Sequence, residues 1–155
     1  MGYASKYYDP VKAHEYYEKH KKQTARTSTK GMNASQKEMA AYVKDRLMAE
    51  KKAKNQEVSD RHNSQAKEQR QAFTDSCNEK VKALREKLKG MSKEEKAAIK
   101  DQIAEEINSI KEQFKNLKSG VTQEHSKGRK AEKAANQQDY SNKYAEALQE
   151  IRKRK

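Results

Sequence analysis

Residues 73–117 read FTDSCNEKVKALREKLKGMSKEEKAAIKDQIAEEINSIKEQFKNL. The large apolar side chains fall at Phe73, Cys77, Val81, Leu84 and Leu88, spaced four, four, three and four. Gly90-Met91-Ser92 interrupts the stripe. It resumes at Ile99, Ile103, Ile107, Ile110, Phe114 and Leu117, spaced four, four, three, four and three. Each set lies on one face of a helix, as a heptad seam on either side of a breaker. Gly90 suits a helix C-cap, and Ser92 with Glu95 three residues on forms a capping box. A turn of three residues joins antiparallel helices. The expected fold is all-α and extended, with long helices and a central antiparallel hairpin of coiled-coil type. Folding at the turn places Leu84 near Ile99, Val81 near Ile103 and Cys77 near Ile107.

Outside this stretch the chain is poor in aliphatic residues. Leu, Ile, Val and Phe number five, five, five and two among 155 residues. A share below about 20% with high net charge marks disorder or an extended helical protein. A single proline, five glycines and abundant Ala, Lys, Glu and Gln favour the helical case. Such a chain lies along a partner, self-associates or stays partly unfolded, because it cannot bury a large core alone.

Three segments follow. Residues 1–31 form a Tyr-rich basic docking segment, with a short helix starting at Asp9-Pro10 and a polar linker up to Gly31. Residues 33–119 form the hairpin. Its first helix starts at Asn33 or Ser35, each with Gln or Glu three residues on, and carries Met39, Val43 and Leu47 at spacing four. From Ala49 to Gln71 the only large aliphatic residue is Val58, so order there needs continuity with the seam or a partner. A helix from Asn33 to Lys89 would measure about 85 Å at about 1.5 Å per residue. The second helix is expected to stop at Ser119-Gly120. Residues 120–155 form a basic C-terminal helical segment with Tyr140, Tyr144, Leu148 and Ile151 on one face.

The net charge of +13 is uneven. Residues 90–119 carry six basic and six acidic side chains, while the rest is basic. A basic surface attracts nucleic acid, anionic membrane or an acidic protein face. The candidate nucleic-acid contacts are Lys19, Lys21, Lys22, Arg26 and Lys30, with the tail Arg152, Lys153, Arg154 and Lys155. Five of eight tyrosines lie in the first seventeen residues. Tyrosine combines large contact area with a polar tip, which suits interfaces. Tyr7, Tyr8, Tyr16 and Tyr17 are therefore the candidate partner-docking residues, with packing on the chain's own hairpin and stacking on nucleic-acid bases as the alternative readings.

No catalytic, cofactor-binding or metal-binding set is readable. His14, His20, His62 and His125 have no ligand partner at metal spacing, and no phosphate loop, dinucleotide fingerprint or nucleophile elbow occurs. The single Cys77 excludes an internal disulfide and reads as a small hydrophobe on the seam. With no transmembrane run and no secretory signal, an intracellular product without membrane partners is expected.

The stretch Ser5-Lys6-Tyr7-Tyr8-Asp9-Pro10-Val11-Lys12-Ala13-His14-Glu15-Tyr16-Tyr17 resembles the N-terminal signature of small helical proteins encoded in tailed-phage and prophage morphogenesis clusters of bacteria. Leu88 to Ala98 resembles the Lys- and Glu-rich hairpin turn of such proteins. Together they cover about a sixth of the chain. The resemblance implies a virion or assembly context and no catalytic residues. The expected function is a non-enzymatic structural or assembly protein at the phage head, in the virion and, during assembly, in the host cytoplasm, with capsid or portal-type proteins and packaged DNA as partners, no cofactor, and homo-oligomerisation left open. The alternative is a phage-encoded regulator or host-defence inhibitor that binds nucleic acid or nucleoprotein.

Overall fold

The computed structural model describes residues 11, 12, 14 and 26–154, and among these it contains two long helices and no strand. Helix α1 spans Ala34–Lys89 and α2 spans Lys93–Lys153, packed as an antiparallel hairpin about the turn at 90–92. Val11, Lys12 and His14 are helical, as the Asp9-Pro10 start predicts for those positions. The rest of that short helix lies outside the described residues.

Caps written in the sequence set the helix starts. Asn33 Oδ1 accepts from the Gln36 backbone N–H at 2.8 Å, and the Asn33 N–H donates to Gln36 Oε1 at 3.0 Å. Of the two overlapping capping boxes, the Asn33 box is the one formed. At the turn, the Glu95 N–H donates to Ser92 Oγ at 3.3 Å, and the Met91 N–H donates to the Leu88 carbonyl at 3.2 Å. Gly90 does not use the left-handed cap expected of it. Among the described residues only Gly31 has a positive φ, at 86°. Gly31 occupies the third position of a turn closed by Met32 N–H on the Thr29 carbonyl, where a type II turn requires positive φ. The polar segment before α1 is thereby turned, and Met32 enters the core.

The stop expected at Ser119-Gly120 is absent, and α2 runs through it to Lys153. A glycine inside a helix costs about 1 kcal/mol, which is no terminator when the flanking turns are packed. Here Phe114 and Val121 are both buried. The C-terminal stripe therefore belongs to the same helix as the neutral arm.

The chain divides into two compact units, one comprising Met1–Asn55 with Ala134–Lys155 and the other Gln56–Lys133. In the first, Met32, Ala40, Tyr144, Leu148 and Ile151 form a core, against which Met39, Val43 and Leu47 pack. The sequence shows these as two separate stripes, and the structure makes them the two sides of one contact. Gln36 ties the helix ends together: besides completing the α1 cap, its Nε2 donates to the carbonyls of Arg154 at 3.0 Å and Ile151 at 3.4 Å. Both carbonyls lie at the α2 terminus, where the last turn lacks i+4 donors, and the Ile151 carbonyl also accepts from the Arg154 N–H at 3.1 Å.

In the second unit the seam holds Val58, Ala66, Val81, Ile103, Phe114 and Val121 buried, and the Phe73 and Phe114 rings lie 6.2 Å apart. Cys77, Leu84, Leu88, Ile99, Ile107 and Ile110 are half-buried. Leu117 is 47% exposed and does not join the seam. The covered stripe of α2 includes Ile99, Ile103, Ile107, Ile110, Phe114, Lys118, Val121 and His125, spaced four, four, three, four, four, three and four. That period is eleven residues rather than seven. It averages about 3.67 residues per turn, close to the helix's own period. Lys118 therefore takes the place that a heptad assigns to Leu117.

Leu148 is fully buried, so Leu148→Ala should cost about 2–5 kcal/mol. Leu117→Ser should stay within about 0.5 kcal/mol of wild type. Circular dichroism melts of the two variants check both values.

Candidate functional site

Between Val58 and Phe73 of α1 the apolar supply fails, and polar side chains bridge the helices instead. Arg61 Nη2 donates to Glu132 Oε1 at 2.5 Å, and His62 Nε2 meets Glu132 Oε2. His62 Nδ1 lies 2.9 Å from His125 Nδ1, and His125 Nε2 lies 3.0 Å from Gln69 Oε1. The two imidazoles meet edge to face with centroids 5.2 Å apart. Arg129 Nη1 donates to Asn63 Oδ1 at 3.0 Å, and Arg70 Nη1 to Thr122 Oγ1 at 3.1 Å. All these residues belong to the Gln56–Lys133 unit.

The layer is built to hold the His62 ring. Its side chain is only 12% exposed. Opposite it stands Gly128, where an added Cβ would lie 2.8 Å from His62 Cε1. Glycine thus provides the space the imidazole occupies. Two facing Nδ1 atoms need one N–H and one lone pair between them. His62 Nε2 donates to the Glu132 carboxylate, which only accepts. Hydrogen bonds from Arg61 first, and from His62 next, hold the Glu132 carboxyl below its usual range, and Glu132 in turn raises the Arg61 guanidinium.

Sequence reasoning treats His62 and His125 as isolated, because they lie 63 residues apart and neither neighbours a ligand along the chain. The available signal was the pairing of a histidine in each arm once α2 is allowed past Gly120. Among the described residues no group of three or more His, Cys, Asp or Glu side chains is arranged to hold a metal ion. The histidine nitrogens face one another and Glu132 rather than a common point.

The basic candidates divide. Arg26, Lys30, Arg152, Lys153 and Arg154 belong to one unit. There Arg152 Nη2 donates to the Ser28 carbonyl at 2.5 Å and the Lys30 carbonyl at 3.4 Å, and Arg26 Nη2 to Asn142 Oδ1 at 3.4 Å. Arg152 thus joins residues 28–30 to the end of α2, bringing Lys30 and Arg152, 122 positions apart in sequence, together. Lys30, Lys153 and Arg154 are exposed there. Tyr7, Tyr8, Tyr16, Tyr17, Lys19, Lys21, Lys22 and Lys155 lie outside the described residues.

Gly128→Ala tests the fit. Helix propensity alone favours alanine by about 1 kcal/mol, whereas crowding a packed ring costs about 1–3 kcal/mol. The substitution should destabilise the wild-type chain and stabilise a His62→Ala background, which a double-mutant cycle of urea titrations reads directly. The depressed Glu132 sets a pH dependence. Its contribution is fully present above the ordinary glutamate range, near about 4.3, and is lost as pH falls through the lower folded-state value. Melting temperatures of wild type and Glu132→Gln should therefore differ most near neutrality and converge in acid.

No protein-family model matches this chain, and neither a curated protein nor a solved structure matches it.

Proposed function

We propose that this chain is a non-enzymatic bacteriophage structural or assembly protein, associated with the head and contacting a capsid or portal-type protein and packaged DNA. The observation that carries the reading is the resemblance of Ser5 to Tyr17 to the signature of phage morphogenesis proteins. In this reading Tyr7, Tyr8, Tyr16 and Tyr17 anchor the protein partner, since buried aromatic anchors typically dominate an interface. The hairpin serves as the rigid element that carries them.

Support for the DNA contact comes from charge. The chain carries +13 overall, and the ends of its polar linker and of α2 gather Arg26, Lys30, Arg152, Lys153 and Arg154. Phosphate neutralisation by such a patch is independent of base sequence. Arg152 positions the patch through its carbonyl bonds, leaving Lys30, Lys153 and Arg154 as the exposed groups that would meet phosphate.

Two measurements test the reading. The protein should occur in purified particles at fixed stoichiometry, and deleting residues 1–22 should abolish incorporation while leaving the hairpin helical. Its absence from particles would overturn the structural role and favour the nucleoprotein-binding regulator. DNA affinity should fall steeply with salt. Replacing Lys30, Lys153 and Arg154 with Gln should lower the magnitude of the salt slope by about one for each phosphate no longer neutralised. Absence of binding at low salt would remove DNA from the partners.

A further inference from the structure

The Gln56–Lys133 unit has an open side that its two helices do not cover. A groove of about 440 Å³ runs there between α1 and α2, floored by Ala83, Leu84, Ser109 and Ile110. Leu117, 47% exposed, stands seven residues beyond Ile110, two turns further along that side of α2. Two helices alone leave Leu84 and Ile110 half-buried, whereas a bundle of four covers such positions. The small side chains of Ala83 and Ser109 would let another helix approach closely.

Charge identifies the occupant. Over most of its length a chain of net charge +13 repels a copy of itself. Residues 90–119 are the exception, with six basic and six acidic side chains. The groove rims carry opposite character: Lys80 and Lys87 line the α1 side, Glu106 and Gln113 the α2 side. Each rim pair is separated by seven residues, two helical turns. A two-fold axis parallel to the helices sets the lysine rim of each copy over the Glu106 and Gln113 rim of the other, as a self-complementary interface requires. A basic peptide would meet the lysine rim.

We infer that the groove is a homodimer interface, in which two hairpins pack their open sides into a four-helix bundle. The inference is independent of the phage reading and stands or falls on the purified full-length chain. Sedimentation velocity at micromolar chain concentration and moderate salt should show a dimer. Ser109→Arg and Ala83→Arg, both at exposed positions, should each raise the dimer Kd by at least about tenfold while leaving the circular dichroism spectrum of the monomer helical. Lys87→Glu should weaken the dimer, and adding Glu106→Lys should restore it by exchanging the charges of that one pair. A monomeric wild type overturns the inference. So does a dimer indifferent to Ser109→Arg and Ala83→Arg, which would place self-association elsewhere. Should either arginine variant unfold, the Lys87→Glu and Glu106→Lys exchange decides the matter: recovery supports the groove, and failure to recover rejects it.

Discussion

The structure depends on a shortage. With so few aliphatic residues, this chain can bury apolar surface only along a narrow line where two helices touch. Among the described residues twelve hydrophobic side chains are buried, and of these Leu148 is the largest that is fully enclosed. Every turn of α1 that stays helical therefore needs a turn of α2 opposite it, because an isolated helix of weak amphipathicity gains little from propensity. That requirement carries α2 through Gly120 and brings Tyr144, Leu148 and Ile151 to Met39, Val43 and Leu47.

Where aliphatic residues run out, specificity replaces hydrophobic adhesion. The layer of Arg61, His62, Gln69, His125 and Glu132 contributes less transfer energy than leucines would, and a polar layer with any member unpaired would be costly. Among the described residues no buried side-chain nitrogen or oxygen lacks a partner. The layer is satisfied in one register only: moving α2 by a turn would take Gly128 and Glu132 away from His62 together. Of its members His62 is well covered, with a side chain 12% exposed, while the Arg61 and Glu132 side chains stay 41% and 40% exposed. The same logic joins Asn55 to Asn136 at 3.0 Å and Lys54 to Asp139 at 3.4 Å in the other unit.

Much of this was legible in the order of residues, and the failures are instructive. The turn at 90–92, the Asn33 and Ser92 caps and both arms of the seam follow from spacing and capping chemistry, which are local. The extent of α2 does not. Gly120 looks like a terminator only if residues 121–155 have nothing to pack against, and their hydrogen-bonding partners on α1 lie 52 to 118 residues earlier in the sequence. The heptad reading failed at Leu117, because 4-4-3 spacing and heptad spacing coincide over the first turns and separate only later. The histidine layer was invisible for the same reason as the long α2: His62 and His125 become neighbours only once the hairpin extends past the glycine. Of the functional candidates, Lys30 and Arg152 come together, an association that their distance in sequence concealed.

Hydrogen–deuterium exchange of the full-length chain, read by mass spectrometry over residues 56–72 and 119–133, bears most directly on the pairing of the polar stretches. These are the segments with the fewest aliphatic residues in the Gln56–Lys133 unit, joined by the histidine layer. Protection well above free-peptide rates in both, and reduced in both together by Glu132→Gln, is the expected result. Exchange at free-peptide rates in residues 119–133, with protection confined to residues 73–117, would mean that α2 ends near Gly120 and that the polar layer does not form.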